Sequence, residues 1–260
     1  MPPSYVKPYV KRGKTDAADA EAICEAVTRP TMRFVPVKSA ERQAALLDHK
    51  TRDFLVRQRT QLVNTIRAHL SEFGIVVAKG IHNVARLLEA TNDLPAAARQ
   101  AVDMLADQLR ETQEKIDEVT ARIEAAQKTD PLAKRLATIP GVGTLTASAI
   151  AATTPEVDNF HSARDYAAWL GLTPQPHSSG GKERLGRISK AGNRYLRRLL
   201  YLGAMAQISA RRCGKPGTDW LWRVLERKPV KVVAVALANR MARVVWALIR
   251  SGESYRATPA

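Results

Sequence analysis

Residues 171–193 contain the densest chemistry in the chain: two serines, Ser178 and Ser179, stand before Gly180 and Gly181, and Lys182, Arg184, Arg187 and Lys190 follow. A serine hydroxyl surrounded by cations can attack a phosphodiester, because positive charge stabilises both its alkoxide and the five-coordinate transition state. His177 is a candidate proton acceptor. The same serines could simply hydrogen-bond phosphates from a flexible basic loop, and spacing alone favours that plainer role. A Walker A loop is excluded, since Lys182 is followed by Glu183 where Ser or Thr is required. Just beyond, Arg194, Arg197 and Arg198 fall at i, i+3 and i+4, on one side of a helix whose other side is Leu196, Leu199, Leu200 and Gly203. Arginines so arranged can clamp phosphates in fixed geometry.

Two shorter motifs could also meet nucleic acid. The run from Ile139 to Ala147 sets Gly141 and Gly143 between two expected helices, in the pattern of a helix-hairpin-helix turn. Its glycines would let the backbone approach a phosphate without reading bases, although a plain helix C-terminus needs only one of them. Near the start, Asp16 and Asp19 share one helix face and could together reach Mg2+. Capping accounts for them equally well, with Asp16 as N-cap and Asp19 at N3. Two carboxylates are also few for two-metal nuclease chemistry.

These groups need a scaffold. With 260 residues, 45% hydrophobic and 25% charged, the chain is not disordered, can bury a real core and has room for at least two domains. Its net charge of +16 is unevenly spread: Lys182–Arg250 holds 17 Lys and Arg against Glu183, Asp219 and Glu226, or +14 of the total. A polyanion such as nucleic acid is therefore expected to meet the C-terminal third, with binding that weakens steeply as salt rises. Only Cys24 and Cys213 occur, far apart, which supports neither a disulfide framework nor a zinc site and fits a reducing cytoplasm. No signal peptide and no membrane span are expected, because Asn239, Arg240 and Arg243 interrupt the longest apolar runs.

The apolar spacing predicts a mainly α fold. Residues 1–12, with Pro2, Pro3 and Pro8, read as extended; a helix follows over Asp16–Val27, and Met32–Val37 is the one convincing strand, held to an edge by Pro36. Leu55, Leu62, Ile66, Leu70 and Phe73 mark a long amphipathic helix from Ala40 that Gly74 ends, and a short helix is expected near Ile81–Ala90. Val102, Leu109, Ile116 and Ile123 then stand seven apart, interleaved with Leu105, Thr112, Val119 and Ala126. Such a seam predicts an antiparallel hairpin with a preceding helix or a dimer-forming coiled coil. After Asp130 and Pro131, six helices are expected over 132–138, 145–152, 162–170, 193–211, 218–227 and 230–250. Trp169, Trp220, Trp222 and Trp246 lie in helical neighbourhoods that favour core packing over stacking on bases.

In the order and spacing of these stretches the chain resembles the bridge-RNA-guided insertion-sequence transposases. That family has an N-terminal DEDD domain of Holliday-junction-resolvase type and a serine-bearing C-terminal domain. The resemblance rests on Lys14–Ala20, Ile139–Gly143, Gly171–Pro174, Ser178–Gly180 and Ile188–Gly192. It implies that residues 1–38 are the end of a ribonuclease-H-like α/β domain, 39–130 long helices and a coiled coil, and 131–260 a DNA-binding transposase domain. Asp16 and Asp19 would be the last two acids of a Mg2+-binding tetrad, and Ser179, with Ser178 as second choice, the nucleophile that joins a cleaved DNA strand. Gly141, Gly143, Lys182, Arg184, Arg187, Lys190, Arg194, Arg197 and Arg198 would contact nucleic acid. The implied partners are DNA at the element ends and target, a structured guide RNA, and further copies of the chain in a dimer or tetramer, working in the cytoplasm. The first Asp and the Glu of the tetrad would lie upstream of Met1, so the 260 residues alone are expected to bind DNA without cutting it. A different class, a non-catalytic remnant that occupies element ends, is the alternative expectation.

Overall fold

A computed structural model describes residues 1, 3–11, 13, 15–32, 34, 37–91, 94–182, 184–213 and 219–256. The chain divides into two units, Met1–Ala40 and Glu41–Ala260.

The first unit is helical where it was expected to be extended. A single helical turn, α1 (Pro3–Val6), runs into a 3-10 turn over Lys7–Tyr9 and then α2 (Asp16–Val27). Proline's fixed φ suits the opening turn of a helix, where its missing N–H costs nothing, so Pro3 and Pro8 start these turns instead of preventing them. Ala22 and Ala26 are buried, Lys11 pairs with Glu21, and the Arg29 guanidinium lies 5.5 Å from the centre of the Tyr9 ring. Of the expected strand Met32–Val37, Arg33, Val35 and Pro36 lie outside the described residues, and Met32, Phe34 and Val37 belong to no strand.

The second unit begins with a helical hairpin. The long helix α3 (Ala40–Glu72) turns back at Gly74, and a 3-10 turn with α4 (Val84–Glu89) leads into α5 (Ala96–Thr129). The pairing is antiparallel. Ile66 and Leu70 pack with Val102 and Leu109, whereas Leu55 packs with Ile116, Val119 and Ile123. Polar contacts keep the same register: Arg59 donates to Gln113 at 2.7 Å, Arg52 to Thr120 at 2.7 Å, and Arg122 pairs with Asp48 at 2.8 Å. Of the two arrangements the seam predicted, the intramolecular hairpin forms, and α3 fills the seam. Near its end the buried position falls on Gln127 instead of Ala126, because a straight helix of about 3.6 residues per turn drifts away from a strict heptad.

Asp130 caps the next helix, its carboxylate accepting from the N–H groups of Leu132 and Ala133, and α6 (Pro131–Leu136), α7 (Thr144–Thr153) and α8 (Ala163–Trp169) follow. Two short strands come next, β1 (Pro174–Pro176) and β2 (Leu185–Ile188), paired antiparallel with a register shift between Pro174 and Pro176. Then come α9 (Arg194–Arg212, capped by Asn193), α10 (Trp220–Leu225, capped by Asp219) and α11 (Val230–Ser251). The expected helices are all present within a few residues at each end; Thr218, the expected start of the tenth, lies outside the described residues. Helix α11 is long and apolar enough to cross a membrane by length and composition alone. Its stripe of Val233, Leu237, Met241 and Val245 is instead buried in one core with Leu196, Leu200 and Ile208 of α9 and Tyr166 of α8. Leu145 of α7 packs against the Leu55 and Ile116 cluster, so the core of the hairpin continues into the C-terminal helices.

Candidate functional site

The segment that carries the serines, for which a flexible basic loop was the plainer expectation, is a β-hairpin. Its two feet are clamped to each other and to the core. Ser189 N–H donates to Thr173 O at 2.9 Å, Lys190 N–H to Gly171 O at 3.1 Å, and Asn239 of α11 to Leu172 O at 3.1 Å. Gly192 is required for this closure, since a Cβ there would stand 1.9 Å from Trp169 O. Higher up, His177 N–H donates to Arg184 O at 2.7 Å, and the His177 ring covers Gly186 so closely that a Cβ on that residue would lie 2.4 Å from it. The tip is Ser179-Gly180-Gly181-Lys182, with Ser179 and Lys182 bridged and both glycines at positive φ (57° and 75°), the backbone of a two-residue turn that strands of natural twist require.

The two serines are therefore distinct. Ser178 Oγ accepts from Arg184 N–H at 3.1 Å and belongs to the hairpin's own bonding. Ser179 is exposed at the tip, and its hydroxyl makes no hydrogen bond among the described residues. His177, the candidate proton acceptor, packs on Gly186.

The cations also separate into two groups. Lys182, Arg184, Arg187, Lys190 and Arg194 are exposed or reach solvent around the hairpin, whereas Arg197 and Arg198 have other partners. Arg197 Nη1 donates to Leu170 O and Ala191 O, both at 2.9 Å, pinning the feet of the hairpin to α9. Burial, with Arg194 alongside, lowers the Arg197 guanidinium from its ordinary value. Arg198 pairs with Asp53 of α3 and stacks over Tyr195, 5.3 Å from the ring centre. Of the three arginines expected on this face, Arg194 is exposed, Arg197 is held by the hairpin's feet, and Arg198, also exposed, is shared with Asp53, because i, i+3, i+4 spacing sets a face of the helix but not what meets it.

The turn before α7 is packed against α9. A Cβ on Gly141 would meet Gly203 O of α9 at 2.8 Å and Gln207 Nε2 at 2.4 Å, and Gln207 donates to Pro140 O. Gly141 serves a close turn-to-helix contact. Gly143 faces open space at the start of α7.

In the first unit, Asp16 and Asp19 are exposed in the first turn of α2. The cap is Thr15, not Asp16: its backbone is extended and its Oγ1 accepts from Ala18 N–H at 3.2 Å. Both carboxylates are consequently without a hydrogen bond among the described residues, though the helix dipole favours them there. No group of three or more His, Cys, Asp or Glu that could hold a metal occurs among the described residues.

A residue the sequence reading passed over lies where α3 meets α7 and α9. His49 of α3 is 2% exposed, with Nδ1 3.2 Å from Tyr195 Oη and Nε2 3.1 Å from Ser148 Oγ. It joins the hairpin arm to α7 and to the start of α9. The signal was present: His49 stands seven residues before Val56, on the row continued by Val63 and Leu70, so it occupies a core position. Burial lowers its pKa from 6.5 to about 4. Between those values the unfolded chain binds the proton and the native chain does not, so stability rises with pH across that window and is lost as pH falls through it. The full difference is on the order of 3 kcal/mol. Melting curves from pH 7 to pH 4 should show this slope, and His49→Gln, which keeps polar atoms without titrating, should flatten it.

Residues 2–75 match a DEDD transposase family of the IS110 type, and residues 133–216 match the transposase IS116/IS110/IS902 family. The chain is 49% identical to a putative transposase, y4pF/y4sB, of Sinorhizobium fredii, over 98% of this chain and 67% of that protein. It is 46% identical to a probable family 20 transposase of Pseudomonas aeruginosa, over 98% and 77%, and 40% identical to the IS1111A transposase of Coxiella burnetii, over 98% and 71%.

Proposed function

The chain belongs to the IS116/IS110/IS902 family of transposases, which are DNA recombination enzymes, and from that premise we propose that it supplies the nucleophile, the hydroxyl of Ser179, by which an assembly holding guide RNA and Mg2+ cuts and rejoins DNA strands. The observation that supports this reading is the difference between the two serines: Ser178 is bonded within the hairpin, and Ser179 is exposed at its tip, bridged to Lys182 through the backbone, with a hydroxyl that makes no hydrogen bond among the described residues.

The chemistry is transesterification. Ser179 Oγ forms a bond to phosphorus, the bond from phosphorus to the departing strand's oxygen breaks, and that oxygen takes up a proton while the serine proton passes to solvent. Attack on the serine phosphodiester by the hydroxyl of a new strand reverses these changes and reseals the backbone, so no external energy source is needed. Nearby cations would stabilise the charge that builds on the phosphate oxygens.

Asp16 and Asp19 are the proposed ligands of Mg2+. They fit as part of a coordination shell, being exposed and unbonded among the described residues, and Mg2+ is commonly held by one or two carboxylates with water and phosphate completing the octahedron. Bound there, the ion would stabilise negative charge on a scissile phosphate. The family resemblance extends the proposal further: a ribonuclease-H-like origin for residues 1–38, a helix-hairpin-helix role for the turn at Gly143, a structured guide RNA, assembly as a dimer or tetramer, and action in the cytoplasm.

The test is capture of the covalent intermediate. With guide RNA and Mg2+ supplied, a substrate nicked so that the departing strand diffuses away should trap the protein on DNA, and protease digestion should leave the nucleotide on a peptide containing Ser179. An adduct on any peptide outside the hairpin overturns the assignment.

A further inference from the structure

Beside the serine hairpin runs an open groove of about 1200 Å³, walled by β2, α10 and the outward face of α11. We propose that this groove binds an unpaired nucleic-acid strand, with phosphates on its cationic rim and base faces against its apolar floor. The proposal takes its partner class from the DNA-recombination reading and adds a site that reading does not require.

The rim consists of Arg187 and Lys190 from the hairpin and Lys231, Arg240 and Arg243 from α11, and no carboxylate lines the groove among the described residues. Five cations without a counter-charge suit a polyanion. The floor is the part that a purely electrostatic surface would not need. Val232, Val235, Ala236 and Val244 present an apolar strip to the groove, and Val232 is 53% exposed. The outer surface of a duplex offers phosphates and sugars to such a strip, because its base faces are stacked inside. An unpaired strand offers those faces, and burying them against apolar side chains between phosphate contacts is how single strands are held without sequence preference. The Arg240 guanidinium lies 5.2 Å from the centre of the Trp220 ring, and both residues line the groove. The volume exceeds the range of about 300–1,000 Å³ usual for an enclosed small ligand, and suits a polymer passing through. An apolar helix from a protein partner would also cover the floor, but it would have to answer all five cations with acids, whereas a strand carries a charge at every step.

The test uses the 260-residue chain and a labelled strand of about 20 nucleotides, single or annealed into a duplex, with affinity read by fluorescence anisotropy. Val232→Glu places a carboxylate on an exposed floor position, where folding is spared; its melting temperature should match the parent's. Single-strand binding should weaken by about tenfold or more and duplex binding by less than about threefold. Equal weakening of both forms, or none of either, overturns the proposal. Photocrosslinking of a 5-iodouracil strand to the unsubstituted chain needs no variant: crosslinks should map to Trp220–Leu225 or Val230–Arg243, and crosslinks confined to other segments also overturn it. If the parent self-associates in sedimentation, and Val232→Glu abolishes that while single-strand affinity is unchanged, the groove is a protein interface and the proposal is wrong. Ser179→Ala should keep single-strand affinity, so a failure of the serine chemistry leaves this readout intact and the two readings fail separately.

Discussion

Replacing Ser179 by alanine is expected to abolish the covalent protein–DNA adduct and to reduce strand exchange by on the order of 10³-fold or more, with DNA affinity essentially unchanged. The two readouts separate because the hydroxyl makes no contact that holds the hairpin, and the cations that would bind phosphate remain in place. Ser178→Ala gives the contrasting result. It removes the acceptor for Arg184 N–H, a single exposed hydrogen bond worth about 1 kcal/mol, and should loosen the hairpin while the adduct still forms. Comparing the two variants on the same trapping substrate decides between adjacent residues of identical chemistry. If Ser178→Ala eliminates the adduct and Ser179→Ala does not, the nucleophile is the bonded serine and the hairpin must rearrange before reacting.

Which of those serines is free could not be read from the sequence. Ser178 and Ser179 are adjacent and chemically alike, and the distinction arises from strand pairing between residues six apart, which depends on a turn that Gly180 and Gly181 permit but do not reveal. The helices were far more legible, because helical periodicity repeats over many residues: the seam of α5 named its buried positions from Val102 to Ile123. β1 and β2 are three and four residues long with prolines at both ends of the first, too short and too irregular for any period to show. The arginines mark another limit. Spacing placed Arg194, Arg197 and Arg198 on one side of a helix, yet Arg197 faces two carbonyls at the hairpin's feet and Arg198 faces Asp53 on a helix 145 residues away in sequence. Long-range partners of this kind leave no local trace. Gly141 illustrates the same point, since a glycine that admits a phosphate and one that admits the Gly203 carbonyl look alike in sequence.

The largest structural effect is expected from Gly192→Ala. Gly192 has φ of 74°, and a Cβ there would stand 1.9 Å from the backbone oxygen of Trp169, an atom fixed by α8 and the core beneath it. Relief requires the chain between Ala191 and Asn193 to move away, which breaks the pair of bonds from Arg197 to Leu170 O and Ala191 O and disturbs the Asn193 cap of α9. Overpacking costs about 1–3 kcal/mol, and the left-handed backbone adds about 1 more; the total of roughly 3 kcal/mol or more should lower the melting temperature by on the order of 10 °C. Gly180→Ala at the tip is the control. It shares a positive φ, 57°, but nothing lies within 4 Å of its Cβ, so only the backbone penalty of about 1 kcal/mol applies. Strand exchange should therefore fail in both variants only if tip geometry matters as much as the clamp. The clamp is the stronger requirement: a serine on a hairpin whose feet have parted loses its fixed place relative to α9 and α11, whereas a strained tip on sound feet keeps it. Calorimetry of the two variants beside their adduct yields tests this ordering, and a Gly192→Ala protein that melts with the parent would show that the hairpin is not anchored where Trp169 and Arg197 hold it.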